Sequence, residues 1–235
     1  MRVPVVLALD AATDECSVAV ACGESIVART GSGLLASAQI LPLVDALLQA
    51  QRIRLTDCDA IAFGAGPGAF TGLRLACGIA QGLGFGAGKP LIAVGNLAAV
   101  AADAFAQDAD ARRVLAAVDA RIGEVYCAVY ERAARRPMQI VAPQLARADE
   151  LPALANQHAV DTLAGNALLA HAACAQGFGG RLLPQARADA AGIAALARAA
   201  FEAGELLAPA AAAPLYVRER VALTVAERQA RGAAA

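Results

Sequence analysis

The chain has 235 residues, 58% hydrophobic and 17% charged, with a formal charge of −1 from 20 basic and 21 acidic side chains. That apolar content excludes intrinsic disorder, and at ~100–200 residues per domain the length suits one large domain or two small ones. The balanced charge argues against a stand-alone nucleic-acid binder, so any contact with tRNA or DNA needs help from a partner.

Val3–Asp10, Ser17–Cys22 and Ser25–Thr30 are short apolar or alternating runs, separated by the turn chemistry of Thr13-Asp14-Glu15 and Gly23-Glu24. They predict a three-stranded antiparallel meander. From Ala36 to Ala50, Ile40, Leu41, Val44, Leu47 and Leu48 recur at helical spacing, with Leu43 widening the stripe to roughly 160°, more than one core contact needs. A buried strand over Ala60–Phe63, a glycine loop and a helix from Phe70 follow, then a strand over Leu91–Val94 and a helix from Asn96 to about Phe105. This order is an α/β pattern with a mixed sheet.

The second half begins by repeating the first. Leu9-Asp10-Ala11-Ala12-Thr13-Asp14-Glu15 is matched by Val118-Asp119-Ala120-Arg121-Ile122-Gly123-Glu124, and Ala-Val pairs follow both, at Ala19-Val20 and Ala128-Val129. A duplicated strand–turn–strand unit is the economical explanation. A strand near Thr162–Ala164, a helix from Asn166 to Gln176 and a longer helix from Ala188 to Ala203 complete the second unit. The boundaries read this way are a first lobe over 1–107, a smaller second lobe over 108–213 and a tail over 214–235, partly flexible. The abundance of alanine, and of arginine over the single lysine, Lys89, reads as coding bias.

Gly64-Ala65-Gly66-Pro67-Gly68-Ala69-Phe70-Thr71-Gly72-Leu73-Arg74 joins a strand to a helix, where free N–H groups can hold an anion. It fails the specific nucleotide patterns: Ala69 stands where the third glycine of G-x-G-x-x-G belongs, and the one G-K pair, Gly88-Lys89, runs into Pro90. A tight connection without ligand is the alternative. The helix that follows carries Gly72, Gly78, Gly82, Gly84 and Gly86, each costing ~0.5–1 kcal/mol relative to alanine. Gly78, Gly82 and Gly86 recur every fourth residue, so close helix-on-helix contact is expected.

Catalytic constellations are thin. His158 and His171 are the only histidines, neither in i,i+4 spacing nor near a carboxylate along the chain, which disfavours a metal site. No G-x-S-x-G elbow exists, and Cys16, Cys22, Cys58, Cys77, Cys127 and Cys174 form no C-x-x-C pair, reading as reduced thiols. Asp10 and Asp119, at equivalent strand ends, are candidates for a Mg²⁺–phosphate site, with turn capping preferred for Asp119. Arg112, Arg113, Arg121, Arg132, Arg135 and Arg136 make either an RNA-facing patch or a solvated face. Arg2 is followed by too short an apolar run for a signal peptide, and Leu91 to Ala102 is too short to span a bilayer, so a soluble cytoplasmic protein without membrane contact is expected.

Leu7-Ala8-Leu9-Asp10-Ala11-Ala12-Thr13, the segment Gly64 to Arg74 and the segment Val114 to Tyr126 closely resemble the TsaB (YeaZ) family. The resemblance covers residues 1–130, with support from Pro214-Leu215-Tyr216-Val217-Arg218. It implies a two-lobed actin-like ATPase fold (RNase H-like), with duplicated mixed β-sheet layers flanked by helices. It also implies a non-catalytic scaffold in the tRNA threonylcarbamoyladenosine machinery. Such a scaffold pairs with a TsaD-like transferase and a TsaE-like ATPase, forms a homodimer when alone and meets tRNA only through the complex. No intrinsic cofactor is implied, ATP or ADP and Mg²⁺ belonging to the complex. The family's partner contact, on two helices of the first lobe, suggests Ile40, Leu43, Leu47, Leu75, Gly78 and Gly82 as contacts. Asp10, Thr13, Gly66, Gly68 and Thr71 are the nucleotide candidates. Family members often carry a histidine before the first helix; here Leu35-Ala36-Ser37-Ala38-Gln39 reads as a surface change. The competing readings are an ATP-dependent phosphotransferase using Asp10 and the Gly64–Thr71 loop, and a glycoprotease-type metallopeptidase, which the lack of a histidine ligand pair disfavours.

Overall fold

The computed structural model describes residues 3–13, 15–31 and 36–218. Arg2, Asp14, Leu35 and the tail beyond 218, all drawn on in the sequence reading, lie outside them. The first unit runs β1 (Val5–Asp10), β2 (Cys16–Cys22), β3 (Ser25–Gly31), α1 (Ala36–Gln51), β4 (Ala60–Gly66), α2 (Phe70–Ala87), β5 (Leu91–Gly95) and α3 (Asn96–Gln107). The second runs β6 (Arg113–Asp119), β7 (Glu124–Glu131), β8 (Met138–Arg147), α4 (Leu151–Gln157), β9 (Thr162–Ala164), α5 (Ala167–Ala170), β10 (Arg181–Leu183) and α6 (Ala190–Glu202).

Each unit builds one five-stranded sheet, in the orders β3-β2-β1-β4-β5 and β10-β9-β6-β7-β8. In both, an antiparallel meander is followed by two parallel strands. The duplication read from two short turns therefore extends to the whole topology.

Strand alternation separates two kinds of face. Leu7, Leu9, Val18, Val20, Ile61 and Phe63 point to α1 and α2, while Val6, Ala8, Ala19, Ala21, Ala60 and Ala62 point the other way. The opposite face is small because helices pack on it from the middle of the molecule: α6 lies on β1, β2 and β4, and α3 lies chiefly on β6. The second sheet answers with Ala116, Ala128 and Ala164 on the same central core and Leu115, Val125, Cys127, Val129 and Leu163 under α4 and α5. Alanine at these positions has a packing role, so coding bias is not its whole explanation. α3 thus touches both sheets, while α6, from the second unit, packs on the first unit's sheet and on α3.

The single helix expected from Asn166 to Gln176 is broken. α5 stops at Ala170, His171 is extended at φ −138°, and a short 3₁₀ turn, Ala172–Ala175, follows. β8, α4 and β10 did not stand out in the sequence. α6 starts where Asp189 accepts a hydrogen bond from Gly192 N at 2.8 Å, an N-cap two residues later than expected.

Candidate functional site: the interlobe cleft

The two duplicated turns meet across a cleft of ≈ 260 Å³. Ala12 and Thr13 come from the turn after β1, Val118 to Arg121 from the end of β6 and the turn after it, Pro67 to Phe70 from the glycine loop and the start of α2, and Leu215 to Arg218 from the tail segment. The glycine loop reaches this position by lying directly on the first turn. Ala69 N donates to Ala12 O at 2.9 Å, and a Cβ on Gly72 would stand 1.7 Å from Ala11 O, which no side chain can occupy. Close approach of backbone to backbone accounts for glycine there.

Asp10 and Asp119 occupy equivalent places with different surroundings. Asp10 is 1% exposed, accepting from Asn96 Nδ2 at 2.8 Å and from Ala12 N at 3.4 Å. Asn96 uses its Oδ1 to accept Gly66 N at 2.7 Å, so one buried amide ties β1 to the glycine loop. Burial pushes the Asp10 carboxyl up to about 7, against the lowering effect of Asn96 and Ala12 N and with a further push from Asp189. Asp119 is nearer to solvent: His171 Nε2 lies 2.9 Å from its Oδ1, Arg121 N donates to the same oxygen at 2.8 Å, and the Arg121 guanidinium is 3.6 Å from Oδ2. Burial would raise this carboxyl, but its hydrogen bonds with His171 and Arg121 hold it below its ordinary value. The turn that presents it is strained: Arg121, Ile122 and Gly123 are all left-handed, at φ 68°, 58° and 75°, and Ile122 is 91% exposed.

Of the nucleotide candidates, Thr13 and Gly68 line the cleft, whereas Asp10 and Gly66 lie behind its wall. Thr71 sits exposed on the first turn of α2. As they stand these groups do not fit a Mg²⁺–nucleotide. Asp10 is sealed from solvent, Asp119 is engaged by two partners, and the tail segment fills the mouth. Among the described residues no three His, Cys, Asp or Glu side chains gather as metal ligands.

The helix candidates divide. Gly78 and Gly82 are exposed, with nothing within 4 Å of an added Cβ, and Leu43 and Leu75 are partly buried. Ile40 and Leu47 are fully buried against the first sheet, so their place on the wide stripe belongs to the core and not to a partner. The apolar residue α1 leaves outside is Leu41, 49% exposed, and α2 adds Phe85 at 65%. Gln39 is half-buried behind exposed Ser37 and Ala38.

The arginine patch is largely neutralised. Arg113 pairs with Glu131, Arg135 with Glu202 at 2.8 Å, and Arg136 with Glu205 at 2.5 Å. Arg132 caps chain carbonyls at Ala111, Phe105 and Asp108. That is a solvated, paired face. Sequence spacing missed Asn96, Asn166 and the His171–Asp119 pair, whose members lie 52 residues apart. An asparagine directly after a strand-ending glycine or following Gly165, at β5–α3 and β9–α5, was the available signal for the first two.

Two copies of one mixed-sheet unit, facing each other across a cleft lined by their equivalent turns, define a two-lobed actin-like protein. A family model described as TsaD, tRNA N6-adenosine threonylcarbamoyltransferase, matches residues 35–217. YeaZ from Pseudomonas aeruginosa superposes with a TM-score of 0.82 at 32% identity, over 91% of this chain and 99% of its own. A second structure, of a protein with similarity to peptidase YeaZ from Pseudomonas aeruginosa, reaches 0.84 at 33% identity, over 92% of this chain and 100% of its own. The chain is 46% identical over 128 residues to the tRNA threonylcarbamoyladenosine biosynthesis protein TsaB of Escherichia coli, covering 54% of this chain and 55% of that protein. The Haemophilus influenzae protein of the same name is 46% identical over 121 residues, 51% of each chain. The chain belongs to the TsaB/YeaZ family. It spans about half the length of the curated relatives it matches.

Proposed function

We propose that the chain serves tRNA threonylcarbamoyladenosine synthesis as a non-catalytic scaffold that docks a TsaD-like transferase, with a TsaE-like ATPase joining the pair. The observation that carries this is the outer face of α2. Gly78, Gly82 and Gly86 are open to solvent there, beside Phe85 at 65% exposure, and nothing described in this chain packs on them. A helix that bears three glycines without an internal reason has lost helix propensity, and a close-packed helix from a partner offsets that loss. The engagement of both strand-end carboxylates supports a supporting role over chemistry, because neither Asp10 nor Asp119 is free to orient a metal or a nucleophile. In this reading a nucleotide with Mg²⁺ belongs to the assembled complex, the chain self-associates through the same α2 face when alone, and it acts in the cytoplasm; no described helix is long and apolar enough to cross a membrane.

The test is light-scattering chromatography of the chain alone and mixed with its host's TsaD-like protein, paired with an assay of tRNA threonylcarbamoylation. A one-to-one complex, and modification that requires both proteins, is the expected result. Phosphotransfer by the isolated chain, abolished in Asp10→Asn, would overturn it.

A further inference from the structure

One side of α2 rests on the first sheet, both flanks are covered, and the outer side is open. On one flank Leu75, Ile79 and Leu83 share the core of α1 with Ile40 and Leu47. Along the other runs the segment from Leu206 to Tyr216. Leu207 bridges to Leu91, Gln81 Nε2 donates to Pro209 O and to Ala212 O at 3.1 Å each, and the Tyr216 hydroxyl accepts from Arg74 Nε at 2.9 Å. The open side ends in a hollow of ≈ 380 Å³ between Phe85, Lys89 and Leu206 to Pro209, with room for a side chain from outside. Charge on this surface has one sign. Between Asp59 and Asp103 the only charged residues are Arg74 and Lys89, and the segment from Leu206 to Val217 carries none. Arg74 lies exposed over the Phe70 ring at 3.9 Å, and Lys89 follows the left-handed cap Gly88 at the far end of the helix. Neither cation has a carboxylate within ion-pair distance among the described residues. The one acid on α1, Asp45, is exposed and accepts from Gln49 Nε2 at 2.8 Å.

Gln81 and Gly82 lie midway between positions 74 and 89, so the two cations bracket the open side, roughly 20 Å apart along the helix axis. A second copy laid antiparallel across that midpoint sets Arg74 of each copy beside Lys89 of the other. Laid parallel, it sets Arg74 beside Arg74 and Lys89 beside Lys89. In both two-fold arrangements like charges meet at both ends. Resting on the reading of this face as the docking surface, we infer that Arg74 and Lys89 select its occupant. They favour a protein surface with an apolar group for the hollow and carboxylates opposite both ends of α2, over a second copy of this chain. The discrimination works by repulsion of self as well as by attraction of the partner. Two copies still meet through their apolar surface, and the cations make that pairing the weaker and the more readily exchanged.

Sedimentation equilibrium of the full-length chain, Lys89→Glu and Arg74→Gln, each alone and with the TsaD-like protein of the host, tests this, with thermal unfolding confirming that the variants fold. Salt is raised from about 0.01 M to about 0.15 M, which shortens the screening length from ~30 to ~8 Å. The expected effects have opposite signs: the unaltered chain pairs with itself more tightly as salt rises and holds the TsaD-like protein less tightly. Lys89→Glu should weaken the mixed complex about three- to tenfold and tighten pairing between copies by a similar factor. That tightening falls on the variant alone if the helices run antiparallel, and on its mixture with the unaltered chain if they run parallel. Arg74→Gln, which removes a charge without reversing it, should do both to a smaller degree. Lys89 is the only lysine, so acetylation by an amine reagent, read by mass spectrometry, follows this one side chain, and the docked partner should protect it. Self-association of the unaltered chain that weakens with salt assigns an attraction between Asp45 and a cation of the other copy, and overturns the inference. So does failure of Lys89→Glu to tighten pairing in either combination. A mixed complex indifferent to Lys89→Glu, with the lysine still reactive, overturns it and leaves the docking reading standing. Absence of a mixed complex with any of the chains overturns the docking reading and the inference with it.

Discussion

Burial of Asp10 couples folding to proton binding. Its carboxyl, pushed up to about 7 in the folded chain, has an ordinary value near 3.9 when unfolded. Between those values the folded state holds a proton that the unfolded state has released, so stability falls as pH rises from about 4 to about 7 and levels off above. The slope from this group is at most ~1.4 kcal/mol per pH unit. Asp10→Asn keeps an acceptor for Asn96 Nδ2 and removes the charge, so the variant should lose this slope and gain on the unaltered chain between pH 5 and 8. Urea midpoints measured at both pH values check it, and an unchanged slope would refute the assignment. At this scale the sequence was informative about which turns pair, since the two D-A-x-x-x-E strings stand out in a single reading. It could not say that one aspartate would be sealed beneath Asn96 while the other meets His171, because both partners come from far along the chain.

The glycines of α2 make a prediction with two signs. At Gly78 and Gly82 nothing lies within 4 Å of an added Cβ, so Gly78→Ala and Gly82→Ala should each stabilise the isolated chain by about 0.5–1 kcal/mol through helix propensity. The same substitutions should weaken association with the TsaD-like partner or with a second copy, read by sedimentation alongside thermal unfolding. At Gly72 the added carbon would sit 1.7 Å from Ala11 O, and Gly72→Ala should fail to fold. Equal behaviour at the three positions would remove the argument for a partner on this face. Periodicity located α1 to within two residues because its apolar stripe is long, and the strand-then-helix order placed α2 and α3 about as closely. Periodicity could not divide the wide α1 stripe, and so offered Ile40 and Leu47 to a partner when the sheet had claimed them. Weak traces have local causes: β10 spans 3 residues, α4 spans 7, and β8 contains Pro143 and buries none of its residues fully.

Across the whole molecule, α3 and α6 sit between the two sheets in one central core that also contains Val6, Ala62, Val114 and Ala116. A helix shared in this way leaves neither sheet a complete core of its own. The chain should therefore unfold in a single calorimetric transition, with calorimetric and van't Hoff enthalpies in agreement. Two separated transitions would show that the lobes are energetically independent. The layer pattern of strands and helices was readable from the chain, as was the duplication. The reciprocal packing of the last helices was not, because both are apolar around most of their circumference and their patterns name no particular sheet.

That exchange sets an order of events at the ribosome. β1, β2, β4 and β5 can pair as soon as Gly95 has emerged, and α3 then reaches β4 and β5, yet the alanine-lined side over β1 and β2 is covered only when α6, Ala190–Glu202, has been made. At ~5–20 residues per second, synthesis from Gly95 to Ala190 takes roughly 5–20 s. For that interval the nascent chain carries a sheet with an apolar surface still bare over β1 and β2, a natural client for chaperones that bind emerging polypeptides, and a ribosome stalled before Ala190 would leave that part permanently uncovered.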